Sequence, residues 1–147
     1  MKRTWIIVTV MLLAGTLCDV HPVSAGDETL SAVVRIRSAF PANVDSVDVL
    51  GRERAGNGVV IDTEGTILTL SFLTRDAETI EVIGPGNEPV AATLVGYDFS
   101  TGFSLIRTDK PLGVTPIKMG KSSGLEVGDS TIVVGAAGAG EVQMARV

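Results

Sequence analysis

The chain has 147 residues, 45% of them hydrophobic, and a formal net charge of −5, and its length is sufficient for one ordinary domain with a modest core. This acidic balance, with no basic stripe and no interleaved aromatic residues, argues against binding to nucleic acid. The only histidine and the only cysteine, His21 and Cys18, lie in the first 25 residues, so the rest of the chain has no imidazole base and no thiolate.

The first 25 residues have the pattern of an export signal. Lys2 and Arg3 form a basic start, residues 5–17 form a nearly continuous apolar run, and small residues precede Gly26. We expect cleavage between Ala25 and Gly26, so that the mature protein is exported to the periplasm or the extracellular space and has no membrane segment. Residues 1–25 are therefore assigned to a signal peptide.

Two other interpretations of this segment remain open. The run could be kept as a membrane anchor, although Asp19, His21 and Pro22 interrupt it before the ~20 apolar residues that a spanning helix needs. Lipid attachment at Cys18 is the other, although a lipoprotein signal has a small residue where this chain has Leu17.

The mature segment reads as all-β. Short runs rich in valine and isoleucine recur between turn-forming residues, and no stretch keeps helical spacing over three turns. A meandering antiparallel barrel or sandwich is favoured over parallel βαβ units because the connections are short. The predicted strands cover residues 32–37, 46–50, 58–61, 66–70, 79–83, 90–97, 103–108, 131–134 and 141–147.

Three blocks, in order, resemble the HtrA/Deg type of trypsin-like serine proteases. They are the Gly-Asn-Gly-Val-Val-Ile-Asp segment at 56–62 with Ile-Leu-Thr at 67–69, the segments at 92–98 and 103–107, and the segment at 117–129 with Ile-Val-Val-Gly at 132–135. The resemblance implies a trypsin-like antiparallel β-barrel over residues 26–113. It also implies the incomplete start of a second barrel over residues 114–147.

The same resemblance locates two members of the catalytic triad. The family's histidine comes three residues after Thr69, and this chain has Phe72 there. Its aspartate comes four residues after Asp98, where this chain has Gly102. The family's serine lies further along than Val147, so we expect no catalytic residues here. Phenylalanine cannot accept a proton and glycine cannot orient a base, so the trypsin mechanism is not expected.

Two local expectations follow. Phe72 is interpreted as a core aromatic closing the barrel end; the alternative is an apolar plug in a former cleft that contacts a partner. Residues 135–140, rich in glycine and alanine, are predicted to form a flexible turn, because no helix pattern follows as a dinucleotide-binding motif requires.

The functional prediction is an exported, catalytically inactive homologue that acts by binding protein or peptide, or by self-association through an exposed barrel face. One alternative is a remnant or one half of a split serine endopeptidase. Another is an independent exported β-domain that binds peptides by strand addition. No cofactor and no metal ion is expected, since no motif for either is present.

Overall fold

A computed structural model describes residues 30–136 and 142–146. The predicted signal, including Ala25 and Gly26, lies outside the described residues. Within the described residues, eight strands and a short α-helix at Val47–Leu50 follow one another, with 3₁₀ turns at Ser71–Leu73 and Ser122–Gly124. The elements are β1 Val33–Ala39, α1 Val47–Leu50, β2 Glu53–Val60, β3 Thr66–Leu70, β4 Thr79–Ile83, β5 Pro89–Asp98, β6 Phe103–Thr108, β7 Ile132–Ala136 and β8 Val142–Arg146.

The first six strands form a closed antiparallel barrel in the order β1-β2-β3-β6-β5-β4, with β4 returning to β1. This confirms the all-β expectation. β5 pairs with β6 as far as Asp98, but its pairing with β4 covers only residues 89–91. Beyond Ala91, β5 therefore has no second strand partner in the described part of the chain.

The barrel core is aliphatic. In β1 the buried Val34 and Ile36 alternate with the half-buried Arg35 and the exposed Arg37. The residues that fill the interior share β-branched or small side chains, and they are Ala32, Val34, Ile36, Val60, Ile67, Ile80, Val82, Ala92 and Ile106.

The predicted strand at 46–50 is wrong. The segment is α1, closed by the Leu50 N–H donating to the Ser46 carbonyl and the Gly51 N–H donating to the Val47 carbonyl, both at 2.9 Å. Apolar residues at alternate positions suggested a half-buried strand, but Val49 is 85% exposed and no neighbouring strand pairs with the segment. Gly51, with φ of +81°, ends the helix in a conformation that favours glycine.

β2 begins five residues earlier than the predicted start at Gly58. Glycines normally weaken a strand, which hid its first half in the sequence. In the barrel they are required, because a Cβ on Gly58 would lie 2.5 Å from Ile67 Cγ2 and 2.7 Å from Ile36 Cδ1. Because Gly58 has no side chain, β2 can pack closely against the side chains of β1 and β3.

The other predicted strands are confirmed, three of them with the same bounds, at 66–70, 79–83 and 103–108. The turn predicted at 135–140 begins too early, because β7 includes Gly135 and Ala136 and pairs them with Gln143 and Val142 of β8. Residues 137–140 lie outside the described residues.

β7 and β8 form a separate two-stranded sheet, reached through a segment that follows the barrel surface. In that segment Leu112, Val114 and Ile117 pack against the barrel core, and the Ile117 N–H donates to the Val60 carbonyl at 2.9 Å. The division into residues 26–113 and 114–147 stays a prediction. Among the described residues, no helix is long and apolar enough to cross a membrane.

Candidate functional site

Phe72 lies in the 3₁₀ turn that follows β3. The next residue, Leu73, is 1% exposed and inserts into the barrel over β2, where a Cβ on Gly56 would lie 2.5 Å from Leu73 Cδ1. Leu73 thus anchors the turn from below and leaves Phe72 47% exposed at its surface. The interpretation of Phe72 as a core aromatic is wrong, because the neighbouring leucine takes the interior position. Its alternative role as an apolar contact for a partner stays a prediction.

Gly102 lies beside Phe72, in the loop between β5 and β6. The Ser71 N–H donates to the Gly102 carbonyl at 2.8 Å, so the two positions assigned from the resemblance are held together by the backbone. Gly102 has φ of +75°, in the left-handed region, and nothing lies within 4 Å of a Cβ placed on it. The structure therefore brings together an aromatic ring and a bare backbone, neither of which titrates.

Arg54 is a buried cation next to this turn, and the sequence interpretation missed it. It is 7% exposed, its Nη1 donates to the Phe72 carbonyl and its Nη2 to Ser46 Oγ, both at 2.7 Å, and its guanidinium lies 3.7 Å from the centroid of the Phe40 ring. No carboxylate forms an ion pair with it among the described residues. The available signal was position: Arg54 shares the inward face of β2 with Gly56, two residues on.

Replacing Arg54 with lysine is expected to lower the free energy of unfolding by about 1–2 kcal/mol. An ammonium group cannot make the forked contacts to Phe72 and Ser46 while stacking flat on Phe40. Urea denaturation followed by circular dichroism measures the change. Arg37→Lys is the matched control, since Arg37 is a surface residue paired with Glu81, and we expect a change within about 0.5 kcal/mol. Equal effects of the two substitutions would contradict the role given to Arg54.

Asp98, the carboxylate nearest in sequence to Gly102, forms hydrogen bonds within its own loop. Asp98 accepts hydrogen bonds from the Ser100 N–H, the Ser100 hydroxyl and the Thr101 hydroxyl, each at 2.9 Å, and its carbonyl accepts from the Gly102 N–H at 2.9 Å. The Ser100 N–H first, and then the two hydroxyls, lower the pKa of the Asp98 carboxyl. The loop that carries Gly102 is thus shaped by an ionised aspartate.

This lowered pKa predicts how the loop responds to acid. Because the pKa is lower in the folded chain, the Asp98 carboxylate stabilises the fold above the unfolded-state pKa of roughly 3.9, and that contribution is lost as the pH falls through the folded-state pKa. A titration of the Asp98 carboxyl carbon by NMR is expected to have its midpoint below 3.8, and Ser100→Ala to raise it. A midpoint at or above 3.8 in the unmodified protein would contradict the assignment.

A small pocket of about 180 Å³ opens beside the turn. Its walls combine two guanidinium groups, two hydroxyls and two apolar side chains, from Ser46, Leu50, Arg54, Ser71, Phe72 and Arg75. Within the described part of the chain, no group of three or more His, Cys, Asp or Glu residues is arranged to hold a metal ion. The surroundings of Phe72 therefore combine guanidinium and hydroxyl groups with apolar side chains.

Comparison with known proteins shows the family to which the chain belongs. The family model described as a trypsin-like peptidase domain matches residues 56–146, more than half of the chain. The chain belongs to the trypsin-like peptidase family. Its relatives identify the HtrA/Deg type: it is 35% identical over 81 residues to the periplasmic serine endoprotease DegP of Escherichia coli (strain K12), over 54% of this chain and 17% of that protein.

Other relatives agree with this trypsin-like assignment. The chain is 27% identical over 118 residues to a protein described as serine protease HtrA-like from Staphylococcus haemolyticus, covering 74% of this chain and 18% of that one. It therefore spans about a sixth of the length of the curated relatives that it matches.

Solved structures show the same fold. The HtrA-type protease AlgW with tripeptide superimposes with a TM-score of 0.67 at 21% identity, over 82% of this chain and 36% of that one. The serine endoprotease from Yersinia pestis gives 0.63 at 22% identity, over 82% and 40%. At these identities the likeness shows the fold alone, and it confirms the trypsin-like barrel expected from the sequence.

Proposed function

We propose that this member of the trypsin-like family is catalytically inactive and acts by binding protein or peptide. The observation that carries the proposal is the pairing of Phe72 with Gly102 through the Ser71–Gly102 hydrogen bond, at the positions where the family's histidine and aspartate are expected. A serine hydroxyl attacks a peptide bond only when a base takes its proton, and loss of a single triad member already lowers the rate by several powers of ten. No histidine follows residue 21 to replace that base.

The surroundings of Phe72 support binding in place of catalysis. Phe72 is half-exposed and lies at the rim of a pocket whose other walls carry Arg54 and Arg75. An exposed ring beside donor groups supplies both contact area and polar recognition, the combination found at protein interfaces. The surface around Phe72 is therefore suited to contact with a polypeptide.

A peptidase assay tests the proposal. The purified protein is incubated with casein and a fluorogenic peptide library, with a fluorophosphonate probe for activated serines, and DegP of Escherichia coli as the positive control. We expect no turnover above the blank and no labelling. Ser71→Ala is the matched variant, because Ser71 is the hydroxyl residue next to Phe72, and we expect it to behave as the unmodified protein. Reproducible turnover that a single serine-to-alanine substitution abolishes would overturn the proposal.

We also propose that the protein is exported to the periplasm. The proposal rests on the basic and apolar pattern of residues 1–25 and on relatives described as periplasmic. Expression of the full chain with a C-terminal tag, followed by cell fractionation and N-terminal sequencing, is expected to place the protein in the periplasmic fraction with Gly26 as its first residue. A tagged protein that stays with the cytoplasmic fraction would contradict it.

A further inference from the structure

The pocket beside Phe72 concentrates positive charge. Two of its six lining residues, Arg54 and Arg75, are cationic and none is acidic, although the chain as a whole has a net charge of −5. The two arginines come from different parts of the fold, one from β2 and the other from the segment just after the 3₁₀ turn, and both line the same cavity of about 180 Å³. The local charge is opposite to that of the chain, which favours an anion at this place.

Arg54 is a buried cation whose charge is not neutralised within the described residues. Its hydrogen bonds end on neutral oxygens, those of the Gly51 and Phe72 carbonyls and the Ser46 hydroxyl. It is only 7% exposed, and no carboxylate of the described chain forms an ion pair with it. A buried charge without an opposite charge is unfavourable. An anion bound in the pocket would offset this energy.

Both arginines keep N–H groups that can reach such a ligand. Each terminal nitrogen of a guanidinium carries two N–H groups. In Arg54 one N–H of Nη1 is donated to Phe72 and one of Nη2 to Ser46, so each nitrogen retains a second donor. Arg75 is bound to Asp76 through Nε, at 3.1 Å, which leaves its two terminal nitrogens for a ligand. Two adjacent guanidinium groups are well suited to the oxygens of a carboxylate.

The other walls of the pocket indicate the size and polarity of the ligand. Ser46 accepts a hydrogen bond from Arg54, so its own O–H can donate, and Ser71 contributes a second hydroxyl. Leu50 and Phe72, each 47% exposed, form the apolar walls. Sites for whole small molecules usually measure roughly 300–1,000 Å³. At about 180 Å³ this pocket fits a single carboxylate on a short hydrocarbon stem.

We propose that the pocket binds a carboxylate group of another polypeptide. Arg54 and Arg75 donate to the carboxylate oxygens, while Leu50 and Phe72 pack against the stem that carries them. The group is either the side chain of an aspartate or glutamate or the carboxylate at the end of a chain. This inference rests on the proposed binding function and names the partner chemistry for it.

The test is an NMR titration of the ¹⁵N-labelled protein with three unlabelled ten-residue peptides. The first is blocked at both ends and has one glutamate between two leucines in a glycine and serine background. The second has glutamine in place of the glutamate, and the third is the glutamine peptide with a free C-terminal carboxylate. We expect a carboxylate to tighten binding at least about tenfold over the second peptide. Tight binding of the first peptide alone identifies a side chain as the ligand, and tight binding of the third identifies a chain end.

The guanidinium resonance of Arg54 reports on the pocket directly. We expect its Nε–H signal to shift on addition of a tightly binding carboxylate peptide and to stay in place with the glutamine peptide. A purely structural role of Arg54, in holding the Phe72 turn, would give no difference between the peptides. This measurement needs no substitution of the buried arginine, so it does not depend on whether an Arg54 variant folds.

Two variants locate the binding. Arg75→Gln is expected to weaken binding of the carboxylate peptide about fivefold or more and to leave the glutamine peptide unaffected. Arg37→Gln is the matched control, because Arg37 and Arg75 are both surface arginines paired with one carboxylate, with side-chain exposures of 55% and 41%. Arg37 lies outside the pocket, and we expect its substitution to leave both affinities unchanged.

Several outcomes would overturn this inference. They are equal binding of all three peptides, no binding of any of them at millimolar concentration, no shift of the Arg54 signal on binding, or equal losses in the Arg75 and Arg37 variants. The peptidase assay is independent of these results. Turnover would refute inactivity while leaving the carboxylate selectivity standing, and failed selectivity with no turnover would refute the pocket assignment alone.

Discussion

Replacing Leu73 with alanine is expected to lower the free energy of unfolding by about 2–5 kcal/mol. The side chain is 1% exposed and fills the space that Gly56 leaves in β2, so its removal creates a cavity inside the barrel. The surrounding strands are hydrogen-bonded to neighbours on both sides and have little freedom to collapse into that cavity. Urea denaturation monitored by far-ultraviolet circular dichroism measures the loss.

Leu70→Ala is the matched control for this prediction. Leu70 has the same side chain three residues earlier, but it is 43% exposed on the outer face of β3. We expect its truncation to change the free energy of unfolding by less than about 0.5 kcal/mol. A loss below 1 kcal/mol for Leu73→Ala, or equal losses for the two leucines, would show that Leu73 does not anchor the turn.

Replacing Gly58 with valine is expected to destabilise the protein by about 3 kcal/mol or to prevent folding. A Cβ at this position would lie 2.5 Å from Ile67 Cγ2 and 2.7 Å from Ile36 Cδ1, before the two methyl groups of valine are counted. Both neighbours are fully buried, so neither side chain can turn away into solvent. The yield of folded protein and its urea midpoint are the measurements.

Gly96→Val separates this steric effect from the general effect of losing a glycine. Gly96 is also a strand glycine, in β5, but nothing lies within 4 Å of a Cβ placed on it. We expect a change within about 0.5 kcal/mol, since valine has a good strand propensity and room at this position. If Gly58→Val were tolerated as well as Gly96→Val, the close packing of β1, β2 and β3 would be refuted.

These two predictions bear on the site because the same packing displays Phe72. Leu73 is fixed inside the barrel, and the Ser71 N–H is fixed on the Gly102 carbonyl. Phe72 lies between these two residues in the chain, and because Leu73 already fills the interior position, the ring of Phe72 faces outward. The exposure of Phe72 is therefore a consequence of its two neighbours in the chain.

The sequence interpretation was accurate where a segment's local pattern matched its surroundings. The strands at 66–70, 79–83 and 103–108 are short runs rich in apolar and β-branched residues with turns on either side, and their ends were predicted correctly. It failed at residues 46–50, where an equally short run with two valines belongs to α1, because five residues are too few to distinguish a helical turn from a strand. The prediction that peptides bind by strand addition is not tested by these structural observations.

The burial that the sequence suggested for Phe72 is wrong, and the correspondence of Phe72 and Gly102 with the family's histidine and aspartate stays a prediction. The resemblance gave Phe72 and Gly102, and the structure shows that they are neighbours. The burial of Arg54 was missed, since an arginine in a strand is ordinarily a surface residue. The Phe40 ring beneath its guanidinium, the Phe72 carbonyl and the Ser46 hydroxyl make the interior position acceptable, and the first two come from distant parts of the chain.

By itself the sequence determined which chemistry the chain can carry. The types of its residues are fixed without reference to the fold, and beyond residue 21 they include no imidazole and no thiolate. The tertiary structure alone decided that Phe72, Tyr97, Phe99 and Phe103 are exposed and that Arg54 is buried. The physical reason is that burial depends on which distant segments meet. In this barrel the contacts between distant segments are determined by closure of the sheet and by the glycines that allow strands to approach each other.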